Sequence, residues 1–240
     1  MKKKITVATL CLMGAGLCLA YAGKAHAASV SDQETDTQIT LQGATLPPTP
    51  GGSGDGPGGG DTPPISPDTQ FGFLFKPHSF DFGNVASFQL GQPLKQKASA
   101  GGSVGIGDTR DQAPGWALSV KASPLTMTKD GVTTTLTGTI SMTPTVKYVT
   151  YNENGDSKYT LGDVPEAQSK VAPTAPSSVA LTTGGASQPV MNAKAGQGSN
   201  MWAAELSNVS LSATGNQTGN LSAGTYSGTL TWSLSDTPQQ

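Results

Sequence analysis

Past the first 27 residues the chain holds one histidine, His78, and no cysteine, and this narrows the chemistry open to it. A serine or threonine nucleophile ordinarily draws on a neighbouring base, and His78 sits in no motif that would make it one. One imidazole without a thiolate is too few ligands for a zinc centre. Paired carboxylates can cleave glycosides, but Asp and Glu are scattered along the sequence, and sequence does not show which of them converge. The stretch YNENGDSKY, Tyr151 to Tyr159, sets Asn152, Asn154 and Asp156 at alternate positions, as a calcium loop does. Ser157 then stands where such a loop needs Gly, and Asp163 where it needs a bidentate Glu. Asn154-Gly155 reads instead as the type I′ turn of a hairpin between two tyrosine-bearing strands. The sequence therefore assigns no catalytic residue, no metal and no cofactor, and the chain is read as something other than an enzyme.

The remaining candidates are aromatic. Two of the three tryptophans precede a leucine at the same spacing, in GWALSV (Gly115 to Val120) and TWSLSD (Thr231 to Asp236). In an extended strand alternate side chains share a face, so Trp116 and Leu118 point one way, as do Trp232 and Leu234. Val120 and Ala122 extend the first face, and Tyr226, Gly228 and Leu230 precede the second. A buried Trp withdraws ~150 to 250 Å² from water, worth on the order of 4 to 6 kcal/mol when its N–H finds a partner. Both faces can thus be core. An exposed pair would instead form a platform for a carbohydrate or a partner protein.

The elements that must position these residues are strands. Phe71 to Phe75, Phe80 to Phe82, Gly102 to Gly107, Trp116 to Ala122, Met127 to Thr128, Thr137 to Thr143, Val146 to Tyr151, Lys158 to Leu161, Met201 to Leu211 and Gly224 to Leu234 are short apolar or Thr/Ser-rich runs. Gly, Pro and Asn separate them, and no window carries helical periodicity. This predicts an all-β domain over residues 70–240, an antiparallel sandwich or barrel. Pro173 to Gly198, rich in Pro, Ser, Gly and Ala, reads as a long surface connection. From Gly43 to Asp68, 15 of 26 residues are Gly or Pro, which predicts a disordered linker over 28–69. The short segment Ala28 to Gln42 reads either as a tail or as an added edge strand.

Ahead of the linker, Lys2 to Lys4, the apolar run Ile5 to Ala22 and the small-x-small site Ala25-His26-Ala27 form a secretory signal peptide, with the mature chain starting at Ala28. Cys11 and Cys18 fall inside the removed segment, each behind a leucine rather than a small residue, which disfavours a lipid anchor. Beyond residue 27 there remain ten Lys and Arg, all at or after Lys76, against all sixteen acids, six of which lie before Asp81. The folded part is close to neutral. Nucleic-acid binding, which needs a basic face, is not expected. No apolar span follows the signal and no sortase motif or hydrophobic tail follows Trp232, so retention at a surface would be non-covalent, without membrane insertion after cleavage.

VGIGDTRDQAPGWALSV and NLSAGTYSGTLTWSLSDTP, with the opening FDFGNV at Phe80 to Val85, resemble the WxL domain of cell-surface proteins in low-GC Gram-positive bacteria. The resemblance implies non-covalent attachment to the cell wall through peptidoglycan, in the company of other wall or membrane-anchored surface proteins. It carries the wall-binding role over to Trp116, Leu118, Trp232 and Leu234. Asp108 and Arg110 match the polar residues commonly seen ahead of the first motif. Unlike long adhesins with this domain, the chain has no further folded module. The alternative is a structural or adhesive subunit that binds a partner protein and uses both motifs only as core.

Overall fold

A computed structural model describes residues 44–84, 94–98, 100–155, 158–213 and 223–238. The signal peptide with Cys11 and Cys18, the segment Ala28 to Gln42, and Val85 of FDFGNV lie outside these residues, as do Asp156 and Ser157. The described residues form fourteen strands: β1 (Gly52–Gly56), β2 (Gly60–Thr62), β3 (Phe71–Phe75), β4 (Leu94–Lys97), β5 (Gly102–Asp108), β6 (Trp116–Ala122), β7 (Leu125–Lys129), β8 (Val132–Leu136), β9 (Thr139–Tyr151), β10 (Tyr159–Gly162), β11 (Val179–Thr182), β12 (Gln188–Ala193), β13 (Asn200–Ala213) and β14 (Leu230–Ser235). All their pairings are antiparallel. The seven-stranded sheet runs β10-β9-β13-β5-β3, with β11 also on β9 and β4 also on β13, and a three-stranded sheet runs β12-β6-β14. The arrangement is an open sandwich rather than a closed barrel.

The apolar alternation of the strands supplies the layer between these sheets. Val104 and Ile106 of β5, Ile140 and Met142 of β9, and Trp202, Ala204 and Leu206 of β13 meet Trp116, Leu118 and Val120 of β6 and Val190 of β12. Two expected strands, Thr137 to Thr143 and Val146 to Tyr151, are one. β9 continues through Pro144, which lies opposite Leu206, and a register shift between Ser207 and Ser210 in β13 follows directly. A bulge beside a residue with no N–H to donate keeps the ladder from breaking there.

The linker expectation is corrected from residue 44 onward. Leu46 and Ile65 are buried in a second cluster with Leu74, Phe75, Val149, Tyr159 and Ala203, on the opposite side of the large sheet from the sandwich core. Thr49 and Ile65 exchange backbone hydrogen bonds (3.2 and 2.9 Å), as do Asp61 and Lys76 (2.8 and 2.9 Å). The glycines of β5 explain why so few apolar residues suffice. A Cβ on Gly107 would collide with Leu46, and one on Gly105 with the Phe75 ring. Val104 and Ile106 therefore fill the sandwich, while on the other face Gly107 admits Leu46 from the covering layer and Gly105 admits Phe75 of β3.

Two further expectations change. Pro173 to Gly198 is not a surface connection throughout, because β11 and β12 lie within it and bury Leu181, Val190, Met191 and Ala193. Phe80 to Phe82 forms no strand, although both rings pack against the core. The Tyr151/Tyr159 hairpin is present as β9 and β10. Its turn is not type I′, since Asn154 lacks the positive φ that type needs; Gly155 N–H donates to Asn152 O (3.1 Å), and the Asn152 side chain accepts from Asn154 N–H (3.1 Å).

Candidate functional site

The two Trp-x-Leu motifs are neighbours. β14 pairs with β6 so that Leu234 lies opposite Leu118, Trp232 opposite Val120 and Leu230 opposite Ala122, with no register shift. Directly opposed residues of an antiparallel pair project to the same face, so both motifs line the inner side of the small sheet. Their surroundings differ because their places in the sheet differ. β6 is flanked by β12 and β14, and Trp116 and Leu118 are 0% exposed. Among the described residues β14 is the last strand of its sheet, and Trp232 and Leu234 are half-buried against the same core. On the outer side Ser227, Thr229, Thr231, Ser233 and Ser235 form an exposed row of hydroxyls. Pairing in fact begins before β14, through the Thr126–Ser227 bridge and the Ser123 N–H to Thr229 O bond of 2.9 Å.

Burial of an indole is favourable only when its N–H is satisfied. Trp116 Nε1 donates to Gly198 O (3.1 Å) and Trp202 Nε1 to Ser199 O (2.7 Å), so one short loop between β12 and β13 serves both rings. Tyr148 meets Trp202 edge-on, with centroids 5.3 Å apart. Gly198 carries φ +79°, and a Cβ there would overlap the Trp116 indole and the Ala193 side chain. Sequence reading missed this loop. The signal for it was Gly196-Gln197-Gly198 just ahead of the third tryptophan, inside a stretch whose composition suggested a plain connection.

The first motif is approached through strained backbone. Gln112 and Ala113 are left-handed at φ 65° and 43°, and Gly115 follows at φ +86°. Each left-handed non-glycine residue costs roughly 1–2 kcal/mol, so the surrounding contacts must hold it. Ala113 O accepts from Gly196 N–H (2.8 Å). Arg110 grips Asp108 through both carboxylate oxygens (Nε to Oδ1 2.9 Å, Nη2 to Oδ2 2.8 Å) and donates from Nη2 to Gly115 O (3.1 Å). The guanidinium lies 3.8 Å over the Phe71 ring. Hydrogen bonding to Asp108 raises the Arg110 pKa above its ordinary value against the opposing effect of burial, and the charges of Asp108 and Asp236 add to the rise. The side chain of Asp108 is fully buried, so this arginine is the partner that its charge requires.

His78 has company that its sequence did not reveal. Its Nδ1 lies 2.9 Å from Asp61 Oδ1 and 3.3 Å from Ser53 Oγ, and Ser53 Oγ donates to the same Asp61 oxygen (3.0 Å). In a serine-nucleophile relay the imidazole uses one nitrogen for each partner. Here both contacts fall on Nδ1, so the cluster has no relay geometry. Lys76 Nζ completes it at 2.7 Å from Asp61, and Lys76 first and His78 second hold the Asp61 carboxyl well below the usual carboxylate range. The cluster fastens β1 and β2 to the chain leaving β3.

The fold is an all-β sandwich whose three-stranded sheet sets the two Trp-x-Leu strands side by side. The chain belongs to the WxL family: the family model, described as WxL domain surface cell wall-binding, matches residues 28–238. Neither the comparison with curated proteins nor that with solved structures finds a match. The family is a surface cell wall-binding one, so the protein is a wall-binding protein of the cell surface. Among the described residues no helix is long and apolar enough to cross a membrane.

Proposed function

We propose that the wall component bound is peptidoglycan, held non-covalently along the β14 side of the small sheet. The observation that carries this reading is the asymmetry of the two motifs, with Trp232 and Leu234 partly open to solvent while Trp116 and Leu118, on the adjacent strand, are fully buried. In this reading Trp232 and Leu234 touch the ligand and Trp116 and Leu118 form the floor that fixes them. β14 itself carries no charged residue, which favours aromatic and hydrogen-bonding contact over ion pairing. Export through cleavage after Ala27 delivers the chain to the surface, where it works in a complex with other wall or membrane-anchored proteins.

The test is sedimentation of the Ala28 to Gln240 chain with purified peptidoglycan stripped of anionic polymers. Co-sedimentation that persists in high salt supports the proposal. The complete burial of Trp116 and Leu118 favours a second reading, in which both motifs serve only as core and the protein is an adhesive subunit for another protein. Retention by a surface protein but not by bare peptidoglycan selects that reading.

A further inference from the structure

Gly115 is where the two motifs are tied together. Its positive φ turns the chain into Trp116, and the space a Cβ would need is occupied by Ala193 O at the end of β12 and by the ring of Pro238, which follows the second motif. The first motif, the tail of the second and the strand flanking β6 all converge on this residue. Its carbonyl is held by Arg110 Nη2, while Nε and Nη2 of the same guanidinium also bond the carboxylate of Asp108 at the end of β5. One guanidinium therefore joins the large sheet to the start of β6, beside the chain leaving β14.

We propose that Arg110 is a positioning residue of the wall-binding surface: by pinning Gly115 it fixes how the Trp116–Leu118 and Trp232–Leu234 motifs sit against one another. It touches no ligand in this scheme. The claim rests on the proposed wall-binding role for its effect on binding, but not for its effect on the motifs themselves. Lysine is a poor substitute, because the planar fork makes the two bonds to Asp108 while still reaching Gly115 O, and a single ammonium cannot reproduce that geometry. The left-handed pair Gln112 and Ala113 lies between Arg110 and Gly115, so loss of the grip releases a strained segment directly into the first motif.

The experiment compares Arg110→Ala, Arg110→Lys and Leu46→Ala in the Ala28 to Gln240 chain, at a temperature where each is folded by near-ultraviolet circular dichroism. Leu46 sits in the second cluster, on the opposite side of the large sheet from the motifs, and serves as a control for general destabilisation. Arg110→Ala is expected to speed amide exchange at Gly115 to Leu118 and at Trp232 to Leu234 about tenfold or more relative to the Ala204 amide in β13. It is also expected to weaken peptidoglycan sedimentation about tenfold, with Arg110→Lys intermediate and Leu46→Ala like the parent in both. A folded Arg110→Ala protein with parental exchange ratios at the motifs overturns the proposal. If Arg110→Ala does not fold, the contrast between Arg110→Lys and Leu46→Ala decides in the same way. Failure of the parent chain to sediment counts against peptidoglycan binding alone and leaves the exchange comparison to judge Arg110.

Discussion

Leu118 and Leu234, the closing residues of the two Trp-x-Leu motifs, face each other across the β6–β14 ladder. More than a hundred residues of sequence separate them, yet they form one cross-strand pair, so the recurrence in the sequence is a single apolar surface written in two places. The pair is also unequal. Leu118 lies on a strand with a neighbour on either side, and Leu234 lies on the last strand among the described residues. One motif anchors and the other remains accessible.

Replacing each tryptophan separates these parts. Trp116→Ala removes a fully buried ring and leaves Gly198 O without its indole donor, and a loss of ~3–5 kcal/mol is expected in urea unfolding. Trp232→Ala starts from a half-buried ring and is expected to cost about half as much, while abolishing sedimentation with peptidoglycan at a temperature where it stays folded. A Trp232→Ala protein that binds as the parent does removes the indole from the binding surface.

The loop beneath the indoles offers a sharper comparison. Gly196 and Gly198 both have positive φ, at 83° and 79°, but only Gly198 is crowded. Gly196→Ala is expected to cost roughly 1–2 kcal/mol, the price of a left-handed alanine alone. Gly198→Ala adds overlap with Trp116 and Ala193 and is expected to cost a further ~1–3 kcal/mol. Equal losses in thermal unfolding would show that the loop retreats from the indole without penalty.

What the sequence disclosed depended on whether the deciding contact was local. β3 and β6 follow from alternation and fall on the expected residues, Phe71 to Phe75 and Trp116 to Ala122. The shared face of Trp116 and Leu118 follows too, since it is a property of one strand. That Trp116 is sealed and Trp232 half-open does not, because it depends on which strand lies last in the sheet, a long-range fact with no local trace. The folded state of residues 44–69 was hidden for a related reason. Composition counts apolar residues, whereas what holds this layer is the insertion of Leu46 onto Gly107, about sixty residues away, and the packing of Leu46 and Ile65 in one cluster with Leu74 and Phe75 of β3. Asp108 and Arg110 stood out as a motif, but the bond from Arg110 to Gly115 O leaves no trace in residue type or spacing.

The covering layer should therefore be required for the fold. Leu46→Ala opens the packing over Gly107 and Leu74 and is expected to lower stability by ~2–4 kcal/mol. A chain beginning at Gln70 would expose Leu74 and Phe75, both 0% exposed in the intact domain, and is expected to bind hydrophobic dyes and melt non-cooperatively. A Gln70 to Gln240 fragment that unfolds as sharply as the full chain would show that residues 44–69 only rest on the sheet.

The same layer sets an alkaline limit on the domain. Tyr159 is buried among Leu46, Phe75 and Val149, with the rings of Phe75 and Tyr151 tilted against its own at centroid distances of 5.4 and 5.2 Å. Burial, and then the charge that Tyr151 would carry when ionised, push its phenol from the ordinary value near 10 up to about 12. A phenol harder to ionise in the folded state than in the unfolded one stabilises the fold in its neutral form. That contribution is complete below pH 10 and is lost as the pH rises through about 12, because the unfolded chain then releases a proton that the folded chain retains. Unfolding free energy should thus fall between these values, and Tyr159→Phe should flatten the decline. Ultraviolet titration at the phenolate band should likewise resolve one tyrosine ionising later than the others. If all tyrosines ionise together near pH 10 in a chain that is still folded, the phenol is in contact with water and the layer over it is looser than described.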